Sequence, residues 1–263
     1  MSIKKHIPNV ITCGNLLCGC LAIVSAFKGD LVWSAYLVGI AAVLDFFDGF
    51  CARLLKVGGE LGKQLDSLAD MVTFGVVPGV VMYQLIGRAA FFSIMTNQNI
   101  PDAAAINISG STLLLPYIAF LITIFSCIRL AKFNIDTRQT SSFIGVPTPA
   151  NSILICSFPL IIQFHPVVHR EYNALLFNPY VLIGVTLIMS YLLVAELPLF
   201  ALKFKNFGWP DNKVRYTFLI ISVILLILFQ FIAIPFIIFL YIVLSIINNM
   251  TEKQKNTGLN TQQ

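Results

Sequence analysis

This sequence has little charge. Asp, Glu, Lys and Arg make up 11% of its 263 residues, less than half the ~25% usual in soluble domains. Histidine is rarer still, with three in the chain. His165 and His169 are four apart, but Pro166 between them argues against a shared helix face and so against a metal site. None of the six cysteines has the C-x-x-C spacing of a zinc or redox site. They lie in or beside apolar runs and read as small buried hydrophobes. No Pro/Ser/Gly-rich linker, internal repeat or low-complexity tract divides the chain. The net charge of +5 is not spread evenly but follows membrane topology, and so does not read as nucleic-acid binding.

Apolar sequence fills the space that charge leaves. Hydrophobic residues reach 57% and the mean hydropathy is +0.85, the composition of an integral membrane protein. Several runs approach or exceed the ~18 to 20 residues needed to cross a bilayer. Spans are expected at about 10–27, 31–52, 64–86, 112–133, 149–165 and 178–200. An uncharged stretch of 36 residues then runs from Tyr216 to Thr251. It is long enough for two short spans turning near Ile234-Pro235, or for one tilted helix with an interfacial segment. The expected fold is therefore an all-α, polytopic membrane helix bundle. A six-span core within residues 1–210 is followed by a two-span hairpin at 211–251 and a polar tail at 252–263. Lys4 and Lys5 precede the first run, which is interrupted by Asn9, Asn15 and several glycines. It reads as a retained span rather than a cleaved signal peptide.

The basic residues orient this bundle. With the N-terminus inside, 14 of the 17 Lys and Arg residues fall on the cytoplasmic side. Only Lys28, Arg88 and Arg170 fall outside. The split supports an even number of spans and places both termini at the cytoplasmic face of the inner membrane.

One run concentrates the scarce acid. Asp45, Asp48, Asp66 and Asp70, with Gly49, Ala52, Arg53 and Gly62, lie within 26 positions. A carboxylate at membrane depth costs roughly 2.5 to 3.5 kcal/mol on insertion scales. Asp45 and Asp48 are three apart near the end of the second span, and Asp66 and Asp70 four apart near the start of the third. Each pair shares a helix face, so two helices joined by the short loop at Gly58-Gly59-Glu60 can bring four carboxylates to one point. Oxygen ligands alone select a hard cation, Mg²⁺ or Mn²⁺. The small residues let a ligand or helix approach closely, and Arg53 can neutralise a carboxylate or grip a phosphate. On spacing alone, an enzyme's metal site, a transporter's ion site and a structural ion-pair cluster all remain open.

The run reads D-x2-D-G-x2-A-R-x8-G-x3-D-x3-D without departure. It resembles the signature of the CDP-alcohol phosphatidyltransferases, membrane enzymes that move a phosphatidyl group from CDP-diacylglycerol to an alcohol and release CMP. The resemblance implies Asp45, Asp48 and Asp66 as metal ligands, and Asp70 as catalytic base and further ligand. It implies Gly49, Ala52, Arg53 and Gly62 at the CDP-diacylglycerol site, a lipid-embedded substrate, and a homodimer.

Further segments resemble the membrane-embedded bacterial phosphatidylserine synthases within that family. They are Ile7-Pro8-Asn9 through Thr12 and Asn15, Ser67 through Gly75 and on to Pro78, Arg129 through Asn134, and Phe143 through Pro149. Asn15 is accordingly expected at the CDP-diacylglycerol site and L-serine as the acceptor. Serine's carboxylate needs a cation, which Arg129 and Lys132 can supply from one helix face. Arg138 is a weaker candidate. Asn134 and Thr148 can contact the amine or hydroxyl. Simple membrane anchoring remains open for the basic residues, and Glu196 is expected to pair with Lys203 or Lys205.

Overall fold

The computed structural model describes residues 6–57, 59–98, 113–136, 142–164, 176, 178–200 and 208–260. Arg138, His165, His169, Lys203 and Lys205 lie outside the described residues.

Helix α1 (Ile7–Phe27) opens with Pro8 in its first turn, where a missing N–H costs nothing. It turns back through Gly29, whose φ of +87° suits a residue without Cβ. The Asp30 carboxylate then caps α2 (Leu31–Leu54), accepting from the Trp33 N–H at 2.8 Å. Helix α3 (Glu60–Asp70) passes through a π-helical turn (Met71–Val76) into α4 (Val77–Gln98). The rod from Glu60 to Met95 contains the expected third span and extends beyond it. A 3-10 turn (Leu115–Ala119) leads into α5 (Phe120–Ile135). Helices α6 (Thr148–Phe164) and α7 (Pro179–Val194) follow, and both are short.

The expected span at 178–200 stops being helical at Val194. Ala195 is extended (φ −61°, ψ 139°), and Pro198 disfavours helix at the residue before it. Residues Pro198–Phe200 instead form a strand, β2, antiparallel to β1 (Ser142–Ile144), with Ile144 opposite Pro198 and Ser142 opposite Phe200. The otherwise helical fold thus contains a small β-ribbon at one end.

The last apolar stretch contains two helices, α8 (Trp209–Phe229) and α9 (Ala233–Asn260), which pack against each other. The break falls at Gln230–Ile232, where Gln230 has φ +48°, a few residues before the expected Ile234-Pro235. Pro235 lies in the first turn of α9, where proline is tolerated. Helix α9 also continues through the expected polar tail as far as Asn260.

The core centres on α4. Val77, Val81, Met82 and Ile86 are fully buried, and α4 packs against α1, α2, α5, α6 and α7. Of the rod's apolar window 72% is buried inside the protein, against 6% for Asn212–Asn249. The first value marks a central helix and the second a surface suited to lipid. Among the described residues five stretches are long and apolar enough to cross a membrane, and α6 and α7 are shorter apolar helices. Packing is close where small residues meet: a Cβ at Gly19 on α1 would lie 2.4 Å from Thr73 Oγ1. The cysteines differ from expectation. All six are free, but only Cys156 is buried, and Cys13, Cys20 and Cys127 are exposed.

Candidate active site

Helix α1 packs against α2, α3 and the π-helical turn, and it positions the acidic residues. Thr12 and Asn15 are three apart and share a face. The Thr12 hydroxyl donates to Asp48 Oδ2 at 2.7 Å. The Asn15 amide donates to Asp70 Oδ1 at 3.2 Å, and the Thr73 hydroxyl donates to the Asn15 carbonyl at 3.2 Å. Each carboxylate pair is therefore held by its own contact from α1. Asn15 is fully buried and its Oδ1 has no partner.

Asp45, Asp48 and Asp66 each offer one carboxylate oxygen, and the three atoms lie within 4.8 Å of one another. Asp45 also lies against Asp70, which sits beside this triad. Among the described residues no Lys or Arg forms a salt bridge with these four side chains. Three close carboxylates without a counterion repel one another, and a hard divalent cation relieves that repulsion. The donor set fits such an ion.

The small residues of the motif have distinct neighbours. A Cβ at Gly62 would lie 3.3 Å from Asn9 Oδ1, so this glycine lets α3 approach α1. A Cβ at Gly49 would lie 3.4 Å from an Arg53 guanidinium nitrogen. Arg53 thus folds back over Gly49 and is otherwise exposed. Ala52 is half-buried on the same helix.

Beyond Asp70 the electrostatics change. Arg129, on α5, lies within Coulombic range of Asp70 and of Tyr241. It is 7% exposed and its Nε has no partner, whereas an anchoring arginine reaches into water. Its guanidinium stands 5.9 Å from the centre of the Phe133 ring. It opens into a cavity of about 350 Å³ shared with Lys132, Asp136, Ile144, Leu193 and Glu196. The two signs of charge on that wall come from α5 and from the segment joining α7 to β2.

The other sequence candidates lie elsewhere. The Asn134 side chain donates to Ser67 Oγ at 2.8 Å, and the Asn134 backbone carbonyl accepts from Lys63 Nζ at 2.9 Å. It ties α5 to α3 and does not line the cavity. Thr148 is fully buried with an unpartnered hydroxyl. The cavity wall from Glu196 was not anticipated. Its acidic character in an acid-poor chain was the available signal.

An apolar helix bundle with a cation-competent acidic face beside a cavity of mixed charge defines a membrane protein equipped for chemistry on charged groups. The profile of the CDP-alcohol phosphatidyltransferase family matches residues 5–195, and the chain belongs to that family. It is 31% identical over 197 residues to the CDP-diacylglycerol–serine O-phosphatidyltransferase of Bacillus subtilis, covering 73% of this chain and 89% of the relative. The Helicobacter pylori protein of the same name is 30% identical over 185 residues, covering 70% of this chain and 69% of that one. The archaetidylserine synthase of Methanothermobacter thermautotrophicus is 28% identical over 157 residues, covering 59% of this chain and 58% of the relative.

Proposed function

We propose that this enzyme transfers the phosphatidyl group of CDP-diacylglycerol to the hydroxyl of L-serine, giving phosphatidylserine and CMP. Family membership supports the donor, and the names of the two bacterial relatives support the acceptor. The observation that carries the reading to serine is the mixed charge of the cavity next to Asp70. A zwitterion needs a cation for its carboxylate and an anion for its ammonium group. An acceptor bearing phosphate would meet repulsion from Glu196 and Asp136.

In this reading Asp45, Asp48 and Asp66 hold Mg²⁺ or Mn²⁺, with Asp70 beside them as a further ligand. The ion, when bound, draws charge from the pyrophosphate and makes CMP a better leaving group. Arg53 contacts a phosphate, while Gly49, Ala52, Gly62 and Asn15 line the donor's site. Arg129, assisted by Lys132, takes the serine carboxylate, and Glu196 faces its ammonium group. Asp70 then accepts the hydroxyl proton as the serine oxygen bonds to the β-phosphorus. The bond from that phosphorus to the oxygen of the departing CMP breaks, and CMP leaves with its electron pair. Asn15 keeps the Asp70 carboxylate aimed during this step.

The same reading assigns residues 1–210 to the catalytic membrane domain, 211–251 to two further spans and 252–263 to a polar tail, with eight spans in all. It places the N-terminus and the site on the cytoplasmic side of the inner membrane and pairs the chain as a homodimer. The test is CMP release by purified protein with CDP-diacylglycerol and either ion, with serine, glycerol 3-phosphate and inositol 1-phosphate offered separately. Serine-dependent release that EDTA abolishes is expected. Release with a phosphate-bearing acceptor and none with serine would overturn the serine assignment.

A further inference from the structure

The hairpin of α8 and α9 lies beyond residue 195, where the family profile ends, and the chemistry above gives it no part. Outside itself, the hairpin packs on α6 and on β2. Pro198 and Phe200 are two apart, so their carbonyls leave the strand on one edge. Helix α9 supplies a donor to each. The buried Tyr241 hydroxyl donates to the Phe200 carbonyl at 3.0 Å, and the Asn249 side chain donates to the Pro198 carbonyl. Tyr241, Ser245 and Asn249 follow at intervals of four along one face of α9. Ser245 is fully buried between them and donates to the Tyr241 carbonyl at 2.7 Å. Helix α8 closes the grip with Phe218. The rings of Phe200, Phe218 and Tyr241 pack mutually at 5.0 to 5.8 Å.

What β2 holds in turn is the cavity wall. Glu196 lies two residues before it, and Ile144, opposite Pro198, also lines the cavity. Past β1 the chain is pinned to the end of α7 and to the segment that follows it: the Val146 N–H donates to the Leu192 carbonyl and the Gly145 N–H to the Leu197 carbonyl, both at 2.9 Å. Gly145 has φ +75°, and a Cβ there would lie 2.5 Å from the Leu193 carbonyl oxygen, so the fit is tight.

We propose that the C-terminal hairpin is a strap that fixes the acceptor side of the active site, with Tyr241 as its positioning residue acting through β2. It serves in place of a third strand and holds Glu196 and Ile144 at a fixed distance from Arg129. The inference rests on the cavity being the acceptor site.

The test is Tyr241→Phe in the full chain, with Ile227→Ala on the lipid-facing side of α8 as control. KM is measured for whichever acceptor the wild-type enzyme uses, so failure of the serine reading leaves the test intact. Loss of one neutral hydrogen bond predicts an acceptor KM raised about fivefold. The KM for CDP-diacylglycerol and kcat stay as in wild type, and the melting temperature falls only by the few degrees that one lost hydrogen bond costs. Amide exchange at Gly145 and Val146 becomes faster, and Ile227→Ala changes none of these. An unchanged acceptor KM overturns the proposal whatever the exchange shows. Equal rises in both KM values also overturn it, because they report a general loss of packing. If the wild-type protein turns over no acceptor, exchange alone decides, and unchanged protection of residues 145 and 146 sinks the strap.

Discussion

The two sides of the active centre are built differently. The acidic side has one sign of charge, four aspartates from a 26-residue run held by α1. The cavity side has both signs, from α5 and from the joint between α7 and β2, and a two-stranded ribbon backs it. A uniform acidic face suits a cation and the pyrophosphate it carries. A face of alternating sign suits a zwitterion. Asp70 stands between them, bonded to Asn15 on one side and within Coulombic range of Arg129 on the other. Donor and acceptor recognition should therefore be separable by mutation, with Asp70 shared.

The largest effect is expected on the shared and acidic side. Asp70→Asn removes the proposed base and should lower kcat by ~10² to 10⁴-fold, the range for general-base catalysis. Binding of CDP-diacylglycerol should largely survive, as measured by isothermal titration in detergent. Asp66→Asn should cost as much and should also weaken the binding of Mn²⁺, followed by electron paramagnetic resonance. Full activity in either variant would break the comparison at its acidic half.

Effects on the cavity side should appear in the acceptor term. Glu196→Gln should raise the serine KM by ~10-fold, as expected for loss of one charge-assisted contact. It should also reduce discrimination against phosphate-bearing acceptors, read by competition assays. An equal effect on both substrates would erase the distinction between the two sides.

Smaller effects should come from the supports. Thr12→Val removes the hydrogen bond to Asp48 and should cost roughly 1 to 3 kcal/mol in holding that carboxylate, seen as weaker metal binding. Asn134→Ala removes the side-chain bond to Ser67 while leaving Lys63 on the backbone carbonyl, and should lower stability by about 1 kcal/mol, read from the melting temperature, with little change in either KM.

The ease of reading each side from sequence follows from the same architecture. The aspartates are close in sequence and fall at helical spacings, so periodicity alone brought each pair to one face. The bond from Asn15 to Asp70 joins residues 55 apart, and helix spacing carries no information at that range. The strands are three residues each, too short for an alternating pattern, and β2 was hidden inside an apolar run that read as the end of a span. Pro235 marked the hairpin but not its turn, because proline both ends helices and begins them. Arg129 was recognised by type and position. Its burial, which separates it from a surface anchor, is a property of packing.

Arg129→Gln tests the two-sided account most directly. Steady-state kinetics with each substrate varied in turn should show the serine KM raised about 30-fold, from loss of a charged contact of ~2 kcal/mol. The KM for CDP-diacylglycerol should stay within twofold of wild type. A raised KM for CDP-diacylglycerol with serine unaffected would contradict the account and assign Arg129 to the donor.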